Sequence, residues 1–182
     1  MNGWKRSRRG GRLRLVTTLD AQEAAVLRGL VDEVRRMLGS RSDEQPRDEL
    51  EELTGLQTGP STRPDDPVLA RLLPDFATDD TDLSGALRSL HEPELIEAKD
   101  RAAADVLAGL PAGGGRVELT PAQGDVWLAA LNDVRLALGT ALDVSEDMPD
   151  DIDPDDPRAA HLGIYHWLTF VQDGLVQARM RV

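Results

Sequence analysis

Apolar residues recur at helical spacing through most of this 182-residue chain, and strict alternation is confined to two short stretches, each running straight into a helix-start signal. Arg12-Leu13-Arg14-Leu15 reads as a half-buried strand, after which Asp20 supplies an N-cap and Glu23 the capping-box position. Leu27, Leu30, Val31, Val34 and Leu38 share one helical face and Gly39 is a natural stop, so a helix is predicted from about Asp20 to Leu38. Further on, Arg116-Val117-Glu118-Leu119 alternates as a second strand and Thr120-Pro121 opens a helix to about Leu142, with Trp127, Leu131, Val134, Leu138 and Leu142 on one face. A shift of 100 residues overlays the two units: Leu19, Val26, Val34, Arg35, Leu38 and Gly39 match Leu119, Val126, Val134, Arg135, Leu138 and Gly139. The echo fits two related strand–helix units with their strands paired in one sheet, and equally a compositional coincidence in a Leu/Ala/Arg-rich chain.

Between and after these units the chain is punctuated by turn formers. Pro46 opens a short acidic helix, Arg47 to Leu53, which Gly55 ends; Asp65-Asp66-Pro67 then caps about two turns from Val68 to Leu73 before Pro74. Residues 83 to 110 are helical in pattern, with Pro93 expected to restart a helix and Leu95, Ala102, Val106 and Leu110 forming the second half's buried stripe. Pro111 to Gly115 is a turn, Asp143 to Asp156 reads as a solvated acidic loop, and a last helix from about Pro157 to Met180 buries Ile164, Leu168, Val171 and Leu175. The expected architecture is mostly α (α+β): one domain over residues 1–182, with about five to six helices and a small two-stranded sheet.

Charge is segregated by position. Residues 1–14 hold six basic side chains and no acid, whereas the remaining 168 residues carry 15 basic against 33 acidic ones. The chain as a whole is therefore a poor ligand for nucleic acid or anionic membrane, and DNA contact is expected only indirectly or through the basic arm, residues 1–10. No apolar stretch reaches the ~18 residues of a membrane span, and the basic start lacks the apolar run of a signal peptide, so a cytoplasmic location is expected. The absence of cysteine excludes disulfides, thiolate metal sites, a thiol nucleophile and a thiol redox switch.

Catalytic signatures are likewise missing. His91, His161 and His166 have no metal-ligand spacing, the glycines lack the lysine and hydroxyl of a phosphate loop, and no nucleophile elbow exists. The chain reads as a non-enzyme with no catalytic, cofactor-binding or metal residue. Trp4, Lys5 and Arg6 are candidate partner-binding residues, because a stacking ring adjoins charge. Asn132 and Asp133 are a second candidate pair, since they point away from the apolar stripe. Arg135 falls at the stripe's edge and is a candidate for a structural ion pair with Asp65, Asp66 or Asp75. Trp127, Tyr165, Trp167 and Phe170 are expected in the core.

Five stretches carry a family resemblance: Trp4-Lys5-Arg6, Pro46 to Gly55, Arg63 to Asp75, Leu90-His91-Glu92-Pro93-Glu94, and Leu131 to Gly139. In order and over nearly the whole chain, they resemble the actinobacterial family long described as a domain of unknown function and named after the actinomycete oxidative-stress transcriptional regulator, AosR. The resemblance implies a cytoplasmic regulator that contacts a protein partner, a sigma factor or RNA polymerase, in response to oxidants. The family's characterised sensing mode uses a cysteine pair, and this chain has none, so thiol–disulfide sensing does not carry over. Met1, Met37, Met148 and Met180 are the remaining sulfur side chains. Family members are also often encoded beside a Clp-protease adaptor, which makes an adaptor or scaffold in Clp-dependent turnover the alternative. A homodimer is compatible with either.

Overall fold

The computed structural model describes residues 2–44, 58–145 and 155–180. In chain order these form β1 (Asn2–Arg9), β2 (Arg12–Leu19), α1 (Ala21–Ser42), α2 (Pro67–Leu72), α3 (Thr81–Gly109), β3 (Gly115–Leu119), α4 (Pro121–Ala141) and α5 (Ala159–Met180). The class is as expected, mostly helical with a small sheet, but the sheet has three strands in the order β1-β2-β3, not two. The basic arm is itself the third strand. Gly10 and Gly11, at φ of 57° and 77°, make the tight turn that folds it back antiparallel onto β2. The expected helix over residues 47–53 lies outside the described residues, as does most of the acidic loop.

The two units meet in the sheet at the register the sequence offset demands. β2 pairs antiparallel with β3, and Thr17 lies directly opposite Val117, so the shift of 100 residues coincides with a local twofold at that pair. Both capping boxes form: Asp20 with Glu23 starts α1, and Thr120 with Gln123 starts α4. From there the helices diverge in surroundings. α1 packs mainly on α3, whereas α4 is enclosed by α1, α2, α3, α5 and the sheet.

That central position explains which apolar residues are buried. Leu27, Val31, Val34 and Leu38 of α1 and Trp127, Leu131 and Val134 of α4 are buried as expected, in one hydrophobic cluster with Leu168, Val171 and Leu175 of α5. Val106 of α3 and Leu110 after it are buried as expected, but earlier in the helix the buried face lies one residue on, at Ile96 and Ala103, and Leu95 and Ala102 are only partly buried. Aromatic rings approach helices where a glycine leaves room: a Cβ on Gly109 would lie 2.9 Å from Trp127, and one on Gly139 3.0 Å from Tyr165.

Two helix boundaries differ from expectation, the end of α1 and the break at Pro93. α1 runs past Gly39 to Ser42, because Arg41 is buried in ion pairs that hold the last turn in place. α4 contains Gly139 and ends at Ala141, as expected, and beyond it Asp143 takes a left-handed φ of 53° while Val144 N–H donates to the Gly139 carbonyl. Pro93 does not restart a helix; α3 passes through it. A proline there removes the N–H that would satisfy the Ser89 carbonyl, and the Gly59 N–H takes its place at 2.7 Å. A Cβ on Gly59 would stand 3.1 Å from the Pro93 ring, so the incoming loop seats on the proline itself.

One arginine ties the start of α5 to the end of α4. Arg158 donates to the Leu142 carbonyl at 2.7 Å and, through both its side chain and its backbone N–H, to Asp156. These donors hold the Asp156 carboxyl below the usual aspartate range. Its stabilising contribution is complete above the unfolded-state value and is lost as pH falls through the lower folded value. A carboxyl carbon-13 NMR titration is expected to place the Asp156 midpoint below the ordinary aspartate range.

A second test concerns the turn before β3. Gly114 has a φ of 78°, and a Cβ there would lie 2.5 Å from the Asp20 backbone, whereas one on Gly113 meets nothing within 4 Å. Gly114→Ala is expected to cost more than the ~1–2 kcal/mol of a left-handed backbone alone, and Gly113→Ala to stay within about 0.5 kcal/mol, by urea unfolding.

Candidate protein-contact site

Charged side chains concentrate in two places: the β1 edge of the sheet, which carries Lys5 and Arg6 singled out from the sequence, and a buried cluster where α1, α3 and the loop before α2 converge. Among the described residues β1 is an edge strand, packed against α5 on one side and unpaired along its outer backbone. Trp4 is not presented to a partner. It is 8% exposed and meets Trp127 edge-to-face at 6.1 Å between ring centroids, and its Nε1 has no acceptor among the described residues. α5 comes close enough to cover it because residue 174 is glycine; a Cβ there would sit 3.3 Å from the Trp4 ring. Lys5 and Arg6 are exposed as anticipated, and with Trp4 they line a shallow concavity of about 510 Å³ shared with Phe170, Asp173 and Gln177 of α5. Among the described residues Lys5, Arg6, Arg8 and Arg12 have no acidic partner, whereas Arg9 and Arg14 lie near Glu118 of β3.

Phe170 departs from expectation. It is 54% exposed, on the α5 face that borders this concavity, because the neighbouring Val171 takes the core position. The helical period gave one buried stripe on α5, and a ring one residue off that stripe is left in solvent.

Asn132 and Asp133 do not join this surface. Asp133 is buried at 7% exposure and accepts a hydrogen bond from the Lys99 ammonium of α3 at 2.6 Å, while Asn132 is half-buried. A helix packed on one side would present Asp133 to water, but α4 has α3 on that flank as well. The ion pair sought for Arg135 is not among those of the described residues. Asp66 caps α2, accepting from the Val68 and Leu69 N–H groups at 2.8 and 2.9 Å; Asp65 is exposed; Asp75 pairs with Arg63 and Arg88. At the matching place in α1, Arg35 does form such a pair, with Asp100 of α3, which holds its guanidinium charged above the ordinary value.

The charge cluster was not anticipated. Glu92 has no exposure and lies between two arginines that are themselves buried, Arg41 of α1, at 2.8 Å, and Arg88, one turn earlier on α3. Arg41 also donates to Glu44 and to the Thr62 carbonyl; Arg88 donates to Asp75 at 2.7 Å and to the Leu73 and Pro74 carbonyls, and lies 5.7 Å from the Phe76 ring centre. With Arg63 on Asp75, the cluster sets three arginines against three carboxylates. Although burial opposes its charge, the Glu92 and Glu44 carboxylates keep Arg41 ionised above its ordinary value. The i, i+4 spacing of Arg88 and Glu92 was the one sequence signal available, and it reads equally as a surface pair.

Among the described residues no helix is long and apolar enough to cross a membrane, and no group of three or more His, Asp or Glu side chains could hold a metal ion. The fold is thus a helical domain whose charged motifs bind its own backbone and whose one basic strand is left open. The chain belongs to the family described as a domain of unknown function (DUF2017), which matches residues 1–179. It is 44% identical, over 97% of its length and 87% of the relative's, to the oxidative stress regulator AosR of Mycobacterium tuberculosis. A putative oxidative stress regulator AosR of Mycobacterium leprae is 42% identical over 97% of this chain and 88% of its own. No solved structure matches.

Glu92→Gln leaves Arg41 and Arg88 buried against a neutral amide, and is expected to cost about 3–5 kcal/mol in urea unfolding. The triple change Arg41→Met, Arg88→Met, Glu92→Leu, which removes every charge at the centre, is expected to cost less than Glu92→Gln alone.

Proposed function

We propose that this protein regulates the oxidative-stress response as a non-enzymatic transcriptional regulator, by contact with a protein partner of the transcription machinery, a sigma factor or RNA polymerase. The relatives' name supports the response, and the observation that carries the mode of action is the open β1 edge. Its exposed Lys5, Arg6 and Arg8 lack acidic partners among the described residues, and the Phe170 ring lines the same concavity as Lys5 and Arg6. An unpaired strand offers main-chain hydrogen bonds to an added segment, and the lysine and arginines favour an acidic one. The acidic remainder of the chain would repel a DNA backbone, so any approach to DNA goes through the arm or through the partner.

A chain without cysteine has no thiol to oxidise. Peroxide dependence of the complex would therefore reside in the partner or in methionine, of which Met180 is 72% exposed and Met37 packs against the core. The test is capture from lysate of the host, with and without peroxide, followed by binding of the purified sigma factor or polymerase so recovered. Lys5→Glu/Arg6→Glu/Arg8→Glu is expected to weaken that complex at least ~10-fold and to flatten its salt dependence, with the thermal midpoint unchanged. Recovery of Clp-protease components without polymerase would replace this reading with the adaptor one.

A further inference from the structure

Strand register sorts the side chains of the sheet onto two faces. Leu15, Thr17 and Leu19 of β2, with Val117 and Leu119 of β3, are buried on the face that meets the helices. The opposite face carries Lys5, Arg9, Arg12, Arg14 and Arg116, and among the described residues its one acid is Glu118 and its one apolar side chain the half-buried Val16. Arg14 and Arg116 hold Glu118 at 3.4 and 3.2 Å and Arg9 reaches to 3.8 Å, whereas Lys5 and Arg12 have no acidic partner among the described residues. β3 pairs only with Leu15 to Leu19, so the far end of the sheet narrows to a ribbon of two strands, with Ser7 opposite Arg14, Arg8 opposite Leu13 and Arg9 opposite Arg12, closed by Gly10-Gly11. At ~3.4 Å per residue the ribbon runs about 10 Å before its turn. Arg8, Arg9 and Arg12 at its end are exposed, the Arg9 side chain at 80%, and no acid precedes Asp20 in the chain.

The composition of this face decides what it fits. A protein–protein interface centres on apolar and aromatic side chains, which are missing here, whereas a protein–DNA interface is polar and strongly positive. Single-stranded nucleic acid is held by stacking on rings, and the one ring of β1, Trp4, is buried on the other face. Duplex RNA has a deep, narrow major groove that side chains cannot read, but the major groove of B-DNA, ~12 Å wide and ~8.5 Å deep, admits a two-stranded ribbon. We propose that the β1–β2 ribbon enters the major groove of duplex DNA with its outer face inward. Arg9 and Arg12, opposite one another on its two strands, neutralise the phosphates on either side of the groove. The net charge of −12 opposes this only over the ~8 Å Debye length at physiological salt, and the acid placed against these arginines, Glu118, is outnumbered by them. The protein contact proposed above uses the outer backbone of β1 and the concavity with α5, so each reading holds without the other.

The test titrates the intact chain into a fluorescently labelled DNA duplex of about 20 base pairs, read by anisotropy between about 50 and 200 mM salt. Saturable binding is expected, with a log–log salt slope of about −2 to −4. Arg9→Gln/Arg12→Gln is expected to weaken it about 10-fold and to flatten the slope by about 2, with the thermal midpoint unchanged. Arg36→Gln/Arg101→Gln, which removes the same charge from exposed ion pairs on α1 and α3, is expected to leave affinity and slope as they were. Methyl green, which occupies the major groove, is expected to compete, and netropsin, which occupies the minor groove, is not. The proposal is overturned if the duplex does not saturate, if the two double variants weaken binding equally or not at all, or if netropsin competes and methyl green does not. It is equally overturned if single-stranded DNA or duplex RNA of the same length binds as tightly, or if a capped Glu/Ser peptide binds more tightly than the duplex, which would make this face a site for an acidic protein.

Discussion

The buried carboxylate of Glu92 is the point on which the arrangement of the α1 end, α3 and the loops around them depends. Two arginines from different elements converge on it, and their remaining N–H groups reach the carbonyls of Thr62, Leu73 and Pro74. One ion pair is thereby turned into a clamp on two irregular segments that have little apolar surface of their own. The cost of burying three charges is high, and an apolar replacement could match its stability. What an apolar replacement could not do is hold loop carbonyls at defined positions. The Gly59 contact to the Ser89 carbonyl and to Pro93 adds a second fastening one turn along α3. Two of the stretches that carry the family resemblance, Arg63 to Asp75 and Leu90 to Glu94, are therefore the parts of this clamp, which accounts for their look of structural rather than catalytic motifs.

On the other side of the molecule the fold leaves its basic strand open. β1 is anchored by a single large side chain, Trp4, between Trp127 and Gly174, and that anchor lets the following lysine and arginines stand in solvent without the strand coming loose. Basic residues on an edge also discourage unwanted pairing with other chains.

Legibility in the sequence followed how many neighbours each element has. α1, with its apolar stripe turned to one side, was readable almost residue by residue, including both members of its capping box. α4 was readable in extent but not in surroundings, because a helix covered on several flanks buries polar positions such as Asp133 that a one-face pattern assigns to water. β1 was hidden by its composition: four basic residues in eight look like a solvated arm, and only the burial of Trp4 and the pairing with β2 make it a strand. Lys5 and Arg6 were found at the candidate site because exposure follows from charge. Phe170 was missed because being left over is a property of three-dimensional packing, with no signature in spacing.

What the sequence by itself determined is local: the capped helices, the two alternating strands, the acidic body with its basic start, and the absence of any thiol chemistry. Those follow from the covalent identity of each residue and from interactions within about four positions along the chain, which need no tertiary structure to be evaluated. What only the tertiary structure decided is pairing at a distance. Whether Arg41 finds Glu92, Arg35 finds Asp100, or Arg135 finds no acid among the described residues depends on which helices pack side by side. A charged side chain carries no mark of its partner in its own neighbourhood, and the energy that selects the partner comes from the apolar packing that brings the two helices together.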